Sequence, residues 1–132
     1  MLTQRYNIKD TFQIDVPSTL SVEGFEPCGH SEIPIEKPYH FRKEALRDVL
    51  AFLSDPAGDA LYLTGPTGSG KTSLIQQVAA RLHWPMASVT CHGRLELMDL
   101  IGQFTLIQGE TQFTYGPLAS ALKEGRILVL NE

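Results

Sequence analysis

The sequence predicts an α/β fold with a mostly parallel sheet, and three observations carry that prediction. Short apolar runs alternate along the chain with stretches of helical spacing, the pattern of a layered α/β domain. The first of these runs, Ala60 to Thr64, ends abruptly in glycines and leads into a helix, as a buried parallel strand does. The chain has 132 residues of which 42% are apolar, enough for one domain with a real core.

Each element has its own signal. From Met1 to His40 stand Pro17, Pro27, Pro34 and Pro38, and no apolar period persists, so the segment reads as an extended arm. Within it, Thr11 to Val16 and Thr19 to Val22 alternate weakly as edge strands would, and Pro17 between them cannot donate to a ladder. Phe41, Ala45, Leu46, Val49, Leu50 and Leu53 then recur at helical spacing opposite a charged face, until Ser54 to Gly58 breaks the pattern. After the strand at Ala60 to Thr64, the residues Leu74, Ile75, Val78, Ala79 and Leu82 give a second helix one apolar face, and Pro85 forbids its continuation. Met86 to Thr90 reads as a strand and Arg94 to Ile101 as a short helix. Phe104 to Ile107 and Thr111 to Tyr115 flank a three-residue hairpin loop, Gln108-Gly109-Glu110. Leu118, Ala119, Ala121 and Leu122 mark a last helix capped by Gly125, and Ile127 to Leu130 is a third buried strand.

Composition excludes several classes. Eleven Lys and Arg against 15 Asp and Glu give a net charge of −4, which argues against a broadly basic nucleic-acid surface. No apolar run approaches the roughly 18 residues of a membrane span, and no basic-then-apolar leader opens the chain. Two cysteines, Cys28 and Cys91, do not make a disulfide scaffold, so a cytoplasmic location is expected. Their neighbours His30 and His92 lack the spacing of a zinc site.

Between the first predicted strand and the second helix lies Gly65-Pro66-Thr67-Gly68-Ser69-Gly70-Lys71-Thr72, a full match to the phosphate-binding pattern G-x-x-x-x-G-K-[ST]. The glycines let the backbone approach phosphate oxygens and turn successive N–H groups inward, and the helix N-terminus adds its positive end. Lys71 supplies a mobile charge for the outer phosphates, and the Thr72 hydroxyl is placed to ligate a magnesium ion. A second element, Ile127-Leu128-Val129-Leu130-Asn131-Glu132, is an aliphatic strand whose C-terminal end presents polar side chains, where open α/β sheets put ligands. It resembles a Walker B segment, with Asn131 beside the metal and Glu132 as general base toward water. Asn131 stands where Asp is usual and keeps an acceptor oxygen without the charge, which predicts weaker metal binding.

With both elements in view, the chain resembles the AAA+ ATPases of the MoxR and cobaltochelatase-small-subunit-like, dynein-related group, over roughly Phe41 to Glu132. The resemblance rests on Leu63 to Thr72, on Ala80 to Pro85, on Leu97 to Gly102, and on Gly116-Pro117-Leu118 through Gly125 into Glu132. It implies a three-layer α/β/α P-loop fold and binding and hydrolysis of Mg·ATP. It also implies ring-shaped homo-oligomers that remodel a partner protein, often one with a von Willebrand factor A-like domain. Members of this group continue past the position of Glu132 with a sensor-1 strand, an arginine finger and a helical lid. The sensor-1 strand lies between the two motif strands, so this stretch is expected to be the N-terminal part of the ATPase domain, with unpaired edges and weak hydrolysis alone. The alternative is a nucleotide-binding or interaction module without turnover.

The resemblance also places Tyr39 and Phe41 at an adenine pocket, where ordinary packing is the competing reading. The Gln108 hairpin resembles elaborations aimed at a central pore, against the reading of a hairpin that covers the core. Trp84 is expected to anchor the core, and Arg94 and Arg126 to be solvated.

Overall fold

Pro85 ends one run of local structure and starts another, and the chain divides there into two units, Met1–Trp84 and Pro85–Glu132. A computed structural model describes residues 1–132.

In the first unit, residues 3–25 fold into two strands and a helix where an extended arm was expected, and residues 26–42 carry no helix or strand. Strands β1 (Thr3–Asn7) and β2 (Ser21–Phe25) pair antiparallel, and helix α1 (Ile8–Phe12) follows β1 directly. The Asn7 side chain caps α1 by accepting the Asp10 N–H at 3.2 Å. Thr11 to Val16 is therefore the end of a helix and a turn, and only Ser21 and Val22 of the second expected stretch lie in a strand. The correction has a packing cause. Phe12 and Val22 are buried, Phe12 stacks edge-on against buried Phe41 at 5.1 Å, and Gly24 comes so close to helix α3 (Lys71–Arg81) that an added Cβ would lie 2.6 Å from the Leu82 carbonyl oxygen just beyond it.

Helix α2 (Lys43–Ser54) buries Leu46, Val49 and Leu50, the apolar row expected from its spacing. Helix α3 buries Leu74, Ile75, Val78, Ala79 and Ala80 and stops at Leu82, three residues before Pro85. Between α2 and α3, Ala60 to Thr64 joins none of the three sheets, and Tyr62 is 87% exposed. The expected first parallel strand is not formed. An apolar run becomes a strand only where a ladder partner takes up its N–H and C=O groups, and no strand of the chain does so here.

In the second unit, β3 (Met86–Thr90) and β6 (Ile127–Asn131) pair parallel, in register from Met86 with Ile127 to Thr90 with Asn131. This is the parallel pairing expected of the fold class. With one neighbour, β6 is half-buried, and Leu130 is exposed where a fully buried strand was expected. Helix α4 is Leu97–Ile101, shorter than predicted because Glu96 and Asp99 close a capping box at its start. Helix α5 (Pro117–Glu124) begins with its proline in the first turn and ends at Gly125.

Strands β4 (Gly102–Ile107) and β5 (Glu110–Tyr115) form the hairpin between α4 and α5. Its loop has two residues, not three: Glu110 pairs with Ile107, and Gln108 and Gly109 both take positive φ, as a type I′ turn requires. Phe104, Phe113 and Tyr115 stack edge-to-face on one surface of it, and Phe104 is 72% exposed, so this face does not cover a core as the plain reading of the hairpin had it. No helix of the chain is long and apolar enough to cross a membrane.

Candidate nucleotide-binding site

The loop Gly65 to Gly70 leads into α3, and its shape follows from its composition. Gly68 and Gly70 have φ of +78° and +87°, a region costly to other residues, and Gly70 caps the helix. The only backbone bond inside the loop runs from the Ser69 N–H to the Pro66 carbonyl at 3.2 Å. The helical ladder begins with Leu74 donating to Gly70 at 2.9 Å, so the N–H groups of Lys71, Thr72 and Ser73 find no acceptor in the chain.

Lys71 folds back over the loop, its Nζ donating to the carbonyls of Gly65 at 2.8 Å and Pro66 at 2.9 Å. An ammonium has three protons, so one remains for an anion in front of the loop. Thr72 follows on the first turn, exposed, with its hydroxyl free of any bond to the chain. Exposed loop, free N–H groups, helix N-terminus and lysine together suit a chain of phosphates, and the neutral oxygen of Thr72 suits a magnesium ion carried with them.

Asn131 and Glu132 lie in the second unit, at the C-terminal end of β6. The Asn131 amide nitrogen donates to Ser88 Oγ on β3 at 2.7 Å, which leaves its carbonyl oxygen available, and the Asn131 backbone carbonyl accepts from the Cys91 N–H at 2.5 Å. Glu132 is exposed. Arg126, expected to be solvated, instead has a largely buried side chain paired with Glu124 two residues away. Arg94 is exposed as expected. Trp84 packs edge-on against Phe25 at 5.2 Å, in keeping with an anchoring role.

Phe41 is buried, as the reading of ordinary packing expects. It is 4% exposed, between Phe12, Tyr39 and the Arg81 guanidinium 4.9 Å from its ring centre. Tyr39 is half-buried and reaches the loop: a Cβ on Gly70 would lie 3.5 Å from its hydroxyl. Gln77 on α3 was not singled out by the sequence pattern. Gln77 is 6% exposed, the one buried polar residue of the core, and sits among the apolar positions Leu74, Val78 and Ala80. A polar side chain on the apolar face of a helix was the signal that could have found it.

A glycine loop with unsatisfied N–H groups at a helix start, a lysine closed over it and a parallel strand pair elsewhere in an α/β chain define the P-loop class of nucleotide-binding folds. Within that class, residues 60–132 match the AAA domain of the dynein-related subfamily, and the chain belongs to that family. It is 45% identical over 86 residues to Protein NorQ of Paracoccus denitrificans, a match covering 64% of this chain and 32% of the relative. It is 43% identical over 75 residues to the denitrification regulatory protein NirQ of Pseudomonas aeruginosa, covering 57% of this chain and 29% of the relative. Protein CbbQ of Hydrogenophilus thermoluteolus is 36% identical over 72 residues, 54% of this chain and 27% of the relative. The chain thus spans about a third of the length of these relatives.

Proposed function

We propose that this chain is the nucleotide-binding part of an AAA+ ATPase that couples Mg·ATP hydrolysis to remodelling of a partner protein. The observation that carries the reading is the row of unsatisfied N–H groups of Lys71, Thr72 and Ser73 behind a glycine loop with Lys71 folded over it. Gly65, Pro66, Thr67, Gly68, Ser69 and Gly70 wrap the phosphates, with Lys71 on the outer ones. Thr72 and Asn131 would hold magnesium, which would supply positive charge to neutralise the phosphates. Glu132 takes a proton from the attacking water as general base. Asn131, being neutral, holds the metal less tightly than Asp would.

Residues 41–132 form the N-terminal part of the ATPase domain in this reading. The assembled protein is a ring of identical subunits acting on a partner with a von Willebrand factor A-like domain. An arginine supplied by a neighbouring subunit is worth about 10³ to 10⁵ in rate in P-loop enzymes, so this chain alone turns over slowly. The second reading, binding without turnover, draws on Asn131 at the place of the usual Asp. Phosphate release from Mg·ATP by the chain and by Glu132→Gln separates the two. Slow release abolished by Glu132→Gln, with ATP still bound, supports hydrolysis. Binding with no release above the variant's background supports a nucleotide-holding module.

A further inference from the structure

The parallel register of β3 and β6 sets Ser88 opposite Val129 and Thr90 opposite Asn131. Side chains alternate between the faces of a strand, so Ser88 and Asn131 share one face of the pair as diagonal neighbours. The Asn131 side chain spans that diagonal, its amide nitrogen donating to Ser88 Oγ at 2.7 Å. Its backbone carbonyl accepts the Cys91 N–H, so the end of β6 is tied to the β3 side through main chain and side chain together. The amide oxygen of Asn131 is left with no partner in the chain. All of these atoms lie in the second unit.

We propose that Ser88 is a positioning residue for the magnesium side of the site, fixing the Asn131 amide so that its oxygen, and not its nitrogen, is the end left for the metal. The inference rests on the reading above in which Asn131 holds magnesium. Its physical reason is the asymmetry of an amide. A carboxylate offers an oxygen whichever way it turns. Half a turn of an amide about its last torsion instead replaces the acceptor oxygen with two N–H donors, whose positive end repels a cation. Asn at the place of the usual Asp therefore needs a partner for its nitrogen, a need that Asp does not have. A hydroxyl can give or accept a proton, and here Ser88 accepts. That bond also polarises the amide and shifts negative charge toward its oxygen, which offsets part of the charge missing from Asn.

The test measures the factor by which magnesium strengthens ATP binding, from calorimetric titrations with and without the ion. It is determined for the unmodified chain, Ser88→Ala, Ser88→Thr, Asn131→Ala, Asn131→Asp and the double variant Ser88→Ala with Asn131→Asp. Ser88→Ala is expected to cut the factor by about threefold to tenfold, while ATP binding without magnesium changes by less than about twofold. Ser88→Thr, which keeps the hydroxyl on a side chain suited to a strand, retains the factor. On the Asn131→Asp background, Ser88→Ala changes it by less than about twofold, because either carboxylate oxygen serves. No effect of Ser88→Ala, or an equal loss on both backgrounds, overturns the proposal, since a serine that merely steadies β6 acts alike on Asn and Asp. If Ser88→Ala does not fold, Ser88→Val against Ser88→Thr, alike in shape and differing by the hydroxyl, decides by the same outcomes. If magnesium does not strengthen ATP binding to the unmodified chain, or Asn131→Ala leaves the factor unchanged, the reading of Asn131 as a metal holder fails and the proposal with it. A factor lost in Asn131→Ala but untouched by Ser88→Ala overturns the proposal alone.

Discussion

The Lys71 ammonium lies 2.8 Å from the carbonyl oxygen of Gly65, so the last charged residue of the phosphate motif closes over its first glycine. That bond and the one to Pro66 hold the cation over the loop while the helix behind it keeps three N–H groups unsatisfied. A loop poised in this way is stabilised by an anion, because the positive end of the helix and the free N–H groups have no partner within the chain.

Gly70→Ala is expected to damage the loop before the helix. The position has φ of +87°, where an L-residue costs about 1–2 kcal/mol, and its new methyl meets the Tyr39 hydroxyl at 3.5 Å, an ordinary contact. Strain, not crowding, sets the effect. Urea unfolding should fall by about that amount and ATP affinity should drop at least tenfold, whereas Gly93→Ala, with open space around it and no positive φ, should change neither.

At Gly24 the cost is crowding. Its added Cβ would lie 2.6 Å from the Leu82 carbonyl oxygen and 3.0 Å from the Tyr6 ring, and the carbonyl is backbone at the end of α3. Gly24→Ala should destabilise the first unit by about 1–3 kcal/mol, measured as a lower urea midpoint with an unchanged slope.

Tyr6 makes stability depend on alkaline pH. Its hydroxyl donates to the Phe25 carbonyl at 2.6 Å and lies 2.8 Å from His83 Nδ1, and burial, reinforced by the Glu26 charge, raises its pKa above the ordinary 10.0. The folded state therefore holds this proton more tightly than the unfolded chain. The stabilisation is complete below pH 10 and is lost as pH rises through the higher folded value. Thermal melts of the unmodified chain should fall more steeply between pH 10 and 12 than those of Tyr6→Phe. At neutral pH Tyr6→Phe should cost about 1 kcal/mol through the lost hydrogen bond.

How legible the molecule was depended on where each segment finds its partners. Helix α3, strands β3 and β6 and the β4–β5 hairpin carry their instructions locally, in apolar period and breakers, and formed within a residue or two of expectation, the hairpin turn apart. Ala60 to Thr64 reads as a strand in isolation, but a strand is a relation between segments and no segment of the chain supplies the other half. Strand β1 was invisible because Thr3, Gln4 and Arg5 are all exposed, and β2 was legible only at Ser21 and Val22, because its next inward position is Gly24, which carries no apolar signal. At the site, the loop residues declare themselves by pattern. Elsewhere on α3, Gln77 and Arg81 do not, because their partners are backbone atoms some forty residues away.

Gly65 to Thr72, as proposed above, cradles the phosphates of a magnesium-bound nucleotide. Calorimetric titration of ATP and ADP, with and without magnesium, into the chain and into Lys71→Ala tests it most directly. Binding to the unmodified chain is expected to be strengthened by magnesium and to fall at least tenfold in Lys71→Ala. A folded chain that binds neither nucleotide, or that binds equally well with Lys71→Ala, contradicts it.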